Sequence, residues 1–196
     1  MDKKHNMQLQ NIRLIHRGKY LSYYELDYRD SSGNTKTYEM VSRSEDMEQT
    51  LSLQKDCGSA HAVTLLVFNE DQTKMLIPYE FRMAFNQFVI NQISGLIEPN
   101  ENIEHAAARE LYEETGLELV SILDTLPPSY ACSGITDDMA IQFICTARGT
   151  LRESDSVNEE IHCEWMDKEQ VRKLLYDRAT PVSARMQAHM FMWTHS

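Results

Sequence analysis

The segment Gly95–Leu117 constrains the possible folds more than any other part of the chain. Residues 103–115 are predicted to be helical, because Asn102 is a good N-cap and Gly116 tolerates the left-handed conformation after the last turn. One side of this helix carries an apolar stripe: Ile103, Ala107 and Leu111. Such a stripe must be buried, and the apolar run at 60–69 predicts a β-strand for it to pack on. We therefore expect an α+β fold of mixed strands with a few helices.

The other side of the predicted helix is acidic. Glu110 and Glu114 are four residues apart and share one face, Glu113 flanks them, and Arg109 can pair with Glu113. Stacked carboxylates repel each other unless a cation lies between them. Clustered hard oxygens without sulfur or imidazole suit Mg²⁺ or Mn²⁺. The alternative, from the helix alone, is a solvated acidic surface.

The spacing of the whole segment distinguishes these two interpretations. It places Gly95, Glu101, Arg109-Glu110-Leu111, Glu113-Glu114 and Gly116-Leu117 in the pattern G-x5-E-x7-R-E-U-x-E-E-x-G-U, where U is aliphatic. This pattern is the Nudix box, so the chain resembles a Nudix hydrolase. The resemblance implies a Nudix fold, with mixed β-sheets sandwiched by helices, and a Mg²⁺- or Mn²⁺-dependent pyrophosphohydrolase.

The same resemblance implies roles for individual residues. Glu110 and Glu114 would be the main metal ligands, with the backbone carbonyl of Ser94 as a further one. Glu113 would bind the metal or orient a ligand. Arg109 would act with Glu101 to fix the preceding loop to the catalytic helix.

Outside the box, the chain resembles the ADP-ribose pyrophosphatase branch of the family. The matching segments are Gly18-Lys19-Tyr20, Thr37-Tyr38-Glu39-Met40-Val41-Ser42-Arg43 and an arginine 13 residues before Gly95, Arg82. By resemblance, Tyr20 and Tyr38 would stack on adenine and Glu39 would accept a hydrogen bond from its amine. Arg43 and Arg82 would hold the diphosphate, which a guanidinium can do bidentately. The alternatives are that the tyrosines are simply good strand formers and that Arg82 is a surface charge.

Two departures from the branch bear on the substrate. The chain has Ser133 where the branch usually has a proline, and it has Asn91-Gln92-Ile93-Ser94-Gly95 in place of Glu-x-Pro-Ala-Gly. ADP-ribose remains the first choice of substrate, and another nucleoside diphosphate sugar is the second. A domain that senses ADP-ribose without cleaving it and a partner-binding scaffold are further alternatives.

The general base is expected in the loop 152–160, by resemblance to the same branch. Glu160 is the first choice and Glu159 the second, because a carboxylate near metal ions can deprotonate water at neutral pH. The alternative is that this loop is acidic only because it is solvated.

The N-terminal part reads as an antiparallel meander of three strands, at 8–19, 20–29 and 35–43. We expect residues 1–44 to form a dimerisation and substrate-binding unit and residues 45–196 to form the Nudix domain. A small meander cannot bury both its faces, so a homodimer is predicted.

Charge and cysteine content narrow the partners and the compartment. The net charge of −11 argues against binding of duplex DNA or an anionic membrane through the overall field of the protein. The four cysteines are widely separated, and MDKKHNMQLQNIR has no apolar signal region. We therefore expect a cytoplasmic protein with reduced thiols that acts on a nucleoside diphosphate-linked small molecule.

Overall fold

The computed structural model describes residues 6–44, 46–52, 60–154 and 159–196. The strands are β1 Gln8–Arg17, β2 Ser22–Arg29, β3 Thr35–Ser42, β4 Ala62–Asn69, β5 Lys74–Arg82, β6 Gln87–Ile90, β7 Ile93–Leu96, β8 Glu118–Tyr130, β9 Met139–Arg148 and β10 Ile161–Asp167. The helices are α1 Met47–Ser52, α2 Ile103–Thr115, α3 Lys168–Leu175 and α4 Ala184–His195. The α+β class is confirmed. The chain divides into one compact unit of Met1–Ala60 with Pro128–Ala140 and another of His61–Pro127 with Ile141–Ser196.

The first unit is built on the three-stranded antiparallel meander β1-β2-β3. Leu26 lies opposite Tyr38 and Tyr24 lies opposite Met40 across β2 and β3. Leu26, Tyr24 and Met40 form a small core with Met47 of α1. The polar sequence at 44–58 predicts a connector or a short irregular element, and α1 occupies part of it. Cys57 and Gly58 lie outside the described residues.

The second unit contains a sheet with the order β10-β5-β4-β9-β8, in which β6 also pairs with β5 and β7 pairs with β4. The sequence of residues 86–94, NQFVINQIS, predicts one strand that ends at Gly95, but the structure divides it between β6 and β7, so this prediction is wrong. Strand β6 ends at Ile90, whose backbone N–H and C=O bond to Pro181 and Ser183 ahead of α4. The chain thus stops pairing with β5 where β6 ends, and β7 then pairs with β4. The two strands are separated by Asn91 and Gln92, and Gln92 is as buried as its apolar neighbours, so the break resembles the interior of one strand.

The buried side chain of Gln92 fills this break. Its amide donates to Oε1 of Gln142, at 2.9 Å, and contacts Nδ1 of His189, at 3.2 Å. Thr64 also donates to Oε1 of Gln142, at 3.1 Å. Burial and Arg185 lower the pKa of His189, which favours the neutral ring that can accept this bond.

Helices α3 and α4 close one side of the second unit. Asp167 and Gln170 have the spacing of a capping box, and this box is present at the start of α3. Thr180-Pro181 predicts a helix start, because proline is common at the first helical position, but the last helix begins at Ala184 after the N-cap Ser183. The reason is that the carbonyl of Pro181 already accepts the N–H of Ile90. The helical spacing of Val182, Met186, Met190 and Trp193 predicts a core stripe, and this is confirmed, since all four pack in one apolar cluster.

Two further observations concern the described part of the chain. It contains no helix that is both long enough and apolar enough to span a membrane. Cys132, Cys145 and Cys163 are free thiols.

Candidate metal and diphosphate site

Helix α2 carries the acidic cluster of the second unit. The Oδ1 of Asn102 accepts the N–H of Glu104, at 2.8 Å, which caps the first turn. Gly116 ends the helix with φ 76°, in the left-handed region that favours glycine. Ala107 and Leu111 are fully buried on the face that contacts β7 and β4. Helix bounds, caps and apolar face are therefore as the sequence predicts.

Gly95 of β7 lies directly against the carboxylate of Glu110. A Cβ at position 95 would lie 1.8 Å from Cδ of Glu110 and 1.9 Å from its Oε1. No side chain fits in this space unless Glu110 moves. The first glycine of the box thus allows the strand backbone and the Glu110 carboxylate to approach each other closely.

Glu110 and Glu114 are both held in surroundings that disfavour their charge. Burial raises the pKa of Glu114 well above its usual range, and the charges of Glu110, Glu80 and Glu159 raise it further. A backbone hydrogen bond from Ser94 opposes this shift. Burial also raises the pKa of Glu110, although Arg109 opposes the effect. A bound cation would relieve this mutual repulsion.

Arg109 connects the loop before α2 to the acidic face. Its Nε and Nη2 donate to the two oxygens of Glu101, both at 2.9 Å, and Nη2 also donates to the carbonyl of Leu96, at 3.0 Å. Its Nη1 donates to Glu110 at 2.7 Å and to Glu113 at 3.2 Å. This guanidinium lowers the pKa of Glu101 to about 2. Arg109 thus fixes the position of Glu110 from the side.

The proposed metal ligands differ in how accessible they are. Glu114 is 5% exposed, whereas the side chain of Glu113 is 57% exposed and bonds to Arg109. Within the described ranges, no three His, Cys, Asp or Glu side chains converge closely enough to hold a metal ion. Mg²⁺ is often bound by one or two carboxylates together with substrate phosphates and water. Glu110 and Glu114 fit that donor set.

Glu159, the second choice of base, acts electrostatically on the acidic pair. Its charge raises the pKa of both Glu110 and Glu114. Glu160 is exposed, and its backbone carbonyl accepts the N–H of Phe81, at 2.9 Å. The part of this loop at 155–158 lies outside the described residues.

Arg82 at the end of β5 forms an ion pair with Glu80. The other oxygen of Glu80 accepts the side-chain amide of Asn91, at 2.9 Å. The charge of Glu80 also acts on Glu114. Sequence reasoning missed Glu80, although its place two residues before Arg82 on a strand puts both side chains on one face.

The remaining predicted residues belong to the first unit. Tyr38 lines a cavity of about 390 Å³ together with Leu26, Tyr28, Met40, Tyr130 and Asp137. Its hydroxyl donates to the carbonyl of Gly134, at 2.6 Å. Tyr20 does not line this cavity; it is 70% exposed, with the ammonium of Lys19 4.9 Å from its ring centre.

The two polar candidates of the first unit already have protein partners. The Nε of Arg43 lies 3.5 Å from Oδ2 of Asp138. Burial raises the pKa of Tyr23, and the charge of Glu39 and a hydrogen bond between the two side chains raise it further. The side chains of Arg43 and Glu39 remain at the surface.

Comparison with known proteins extends these observations. Residues 58–189 match the NUDIX domain family. The chain is 29% identical over 103 residues to the ADP-sugar pyrophosphatase of Mus musculus, and 27% identical over 97 residues to the ADP-ribose pyrophosphatase of Bacillus subtilis. These matches cover 53% and 50% of this chain but only 44% and 52% of those proteins.

A solved structure described as an ADP compounds hydrolase superposes with a TM-score of 0.71 at 19% identity. The superposition covers 100% of this chain and 96% of that one, and it confirms the fold.

Proposed function

Because this chain belongs to the Nudix hydrolase family, we propose that it cleaves the diphosphate of ADP-ribose to give AMP and ribose 5-phosphate. The observation that carries the proposal is the arrangement of Gly95, Arg109, Glu110 and Glu114. Glu110 is held by Arg109 and lies against Gly95, and the buried Glu114 shares its face of α2. A cation bound between these two carboxylates would relieve their repulsion.

Mg²⁺, or Mn²⁺ in its place, would be held by Glu110, Glu114 and the carbonyl of Ser94, with Glu113 at the edge. The cation would supply neutralisation of the diphosphate charge and a more acidic water. The protein's own part is to bind and orient. Arg82 holds the diphosphate, and Glu159 or Glu160 accepts the proton of the water that attacks one phosphorus as the bridging P–O bond breaks. Arg43 of the first unit keeps the diphosphate-binding role that the family resemblance implies.

The base of the substrate would stack on Tyr38, with Tyr20 supplied by a second copy of the chain. The exposure of Tyr20 and its absence from the cavity beside Tyr38 support this division. Leu14 and Ile15 of β1 are 45% and 47% exposed, and a homodimer would bury them.

Mixing of two inactive chains tests the shared site. A heterodimer of a Glu114→Gln chain and a Tyr20→Ala chain contains one intact site only if Tyr20 acts in the partner's site. Activity should then reappear on mixing, provided that each variant alone is impaired. No recovery, or a fully active species of about 23 kDa by light scattering, would refute the shared site.

A different nucleoside diphosphate sugar is the second candidate substrate. Ser133, in place of the usual proline, and the similarity to an ADP-sugar pyrophosphatase favour it. A sensor without turnover is less well supported, because binding alone does not need every carboxylate of the box.

An activity screen tests the proposal. The full chain is incubated with ADP-ribose, nucleotide sugars and diadenosine polyphosphates, with and without Mg²⁺, and the products are separated by chromatography. We expect AMP and ribose 5-phosphate only in the presence of the cation and only from chains with Glu114 intact. Cleavage of nucleotide sugars but not ADP-ribose would establish the second candidate, and binding without cleavage would establish a sensor.

A further inference from the structure

We propose that Asn91 is a positioning residue, which acts through Glu80 to orient the guanidinium of Arg82. This inference deepens the proposed function and rests on it for the role of Arg82 in diphosphate binding. The three residues lie in the second unit and form a continuous chain of contacts from the β6–β7 break to the end of β5.

The register of the sheet brings these residues together. Pro78, Glu80 and Arg82 are every second residue along β5, so their side chains lie on one face of the strand. The backbone N–H of Asn91 donates to the carbonyl of Pro78, at 3.1 Å, which places Asn91 opposite Pro78 and diagonal to Glu80. The amide of Asn91 then reaches Oε2 of Glu80, at 2.9 Å, while Oε1 pairs with Nη1 of Arg82.

The chemistry of position 91 suits this role. Glu80 uses each carboxylate oxygen for one partner, so it needs a donor on one side and a cation on the other. An asparagine amide supplies the donor without adding charge, whereas a carboxylate at 91 would repel Glu80. Asn91, in the segment that precedes the box, is therefore complementary to the carboxylate of Glu80 on β5.

Exposure increases along the chain of contacts toward the group that would meet the substrate. The side chain of Glu80 is 14% exposed and that of Arg82 is 46% exposed. Glu80, the inner partner of Arg82, is thus fixed, while the guanidinium of Arg82 remains accessible from solvent. An arginine held in this way loses less side-chain freedom when it binds a diphosphate.

Asn91→Asp tests the proposal because it changes one amide to a carboxylate at constant size. The double variant Asn91→Asp with Glu80→Gln restores the pairing in reverse, since the new amide at position 80 can donate to the new carboxylate at position 91 while its oxygen still accepts from Arg82. Gln187→Glu adds the same charge at an exposed position of α4 and serves as the control. Thermal unfolding identifies any variant that fails to fold, and the double variant keeps the test available in that case.

The first readout is the NMR signal of the Arg82 guanidinium, assigned by its loss in Arg82→Ala. We expect hindered rotation in the wild type and in the control, free rotation in Asn91→Asp, and hindered rotation again in the double variant. Unchanged rotation in Asn91→Asp, or no recovery in the double variant, would overturn the proposal whether or not the protein hydrolyses ADP-ribose.

The second readout is steady-state hydrolysis of ADP-ribose. Asn91→Asp should raise KM about tenfold, while kcat stays within about twofold, and the double variant should recover most of the loss. A KM unchanged in Asn91→Asp would overturn the link to the substrate. If Arg82→Ala also leaves KM unchanged while Asn91→Asp frees the guanidinium, the positioning holds and the diphosphate role of Arg82 in the proposed function fails.

Discussion

Gly95→Ala should separate activity from stability at this site. The added Cβ would lie 1.8 Å from Cδ of Glu110, whereas ordinary contact begins at 3.4 Å. The carboxyl carbon must therefore retreat by about 1.6 Å. The atom that moves is the far end of a flexible side chain, so the backbone can stay in place.

The retreat breaks the geometry that the reaction needs. Glu110 must leave the 2.7 Å bond to Nη1 of Arg109 or pull it along, and in either case its oxygens are displaced from Glu114. A displacement of about 1 Å of a catalytic group can cost about 100-fold in rate. We expect a loss of about 100-fold or more in kcat for Gly95→Ala, with a melting temperature within a few degrees of wild type.

Hydrolysis of ADP-ribose at saturating Mg²⁺, with calorimetry on the same samples, provides the measurement. Glu98→Gln, an exposed change in the loop that follows β7, is the control for handling. A Gly95→Ala protein that keeps more than about a third of wild-type kcat would refute the reasoning, since the displaced carboxylate would then be unnecessary.

Three further outcomes are expected. Glu114→Gln should lower kcat by about 10³-fold. It should also raise the melting temperature of the cation-free protein at pH 7, because a folded-state pKa above the usual value makes stability fall as pH rises through that window. Glu101, whose pKa is about 2 in the folded state, should stabilise the protein above pH 4.5. This contribution should be lost as pH falls from 4.5 toward 2, and urea unfolding of Glu101→Gln should show a weaker pH dependence there. Met190→Ala, at a fully buried site, should cost about 2–5 kcal/mol in chemical unfolding, whereas Met192→Ala, at a 68% exposed site, should cost under about 0.5 kcal/mol.

The acidic helix could be predicted almost completely from sequence. Its caps, apolar face and carboxylate spacing are all local properties, and Asn102 and Gly116 mark its ends. The close approach of Gly95 to Glu110 is a consequence of tertiary packing, so the motif indicated a glycine there but not the reason for it.

Other features depend on contacts between distant segments and were therefore missed or misplaced. The break after Ile90 is set by Pro181 and Ser183, about 90 residues later, and local periodicity carries no information about it. Glu80 joins the site because β5 runs beside β6, and only the register shows that it meets Asn91.

The bonds between Ile90 and the segment before α4 have a practical consequence for anyone who produces this protein. The domain boundary at residue 189 suggests a convenient place to shorten the gene, yet it falls inside α4. A protein ending there would lose Met190 and Trp193 from the apolar cluster that also holds Ile90. The shortened protein would keep every residue of the Nudix box but lose part of this apolar packing. A negative result in an activity screen would then reflect the shortening and not the chemistry. Residues 190–195 should therefore be kept, so that α4 remains whole.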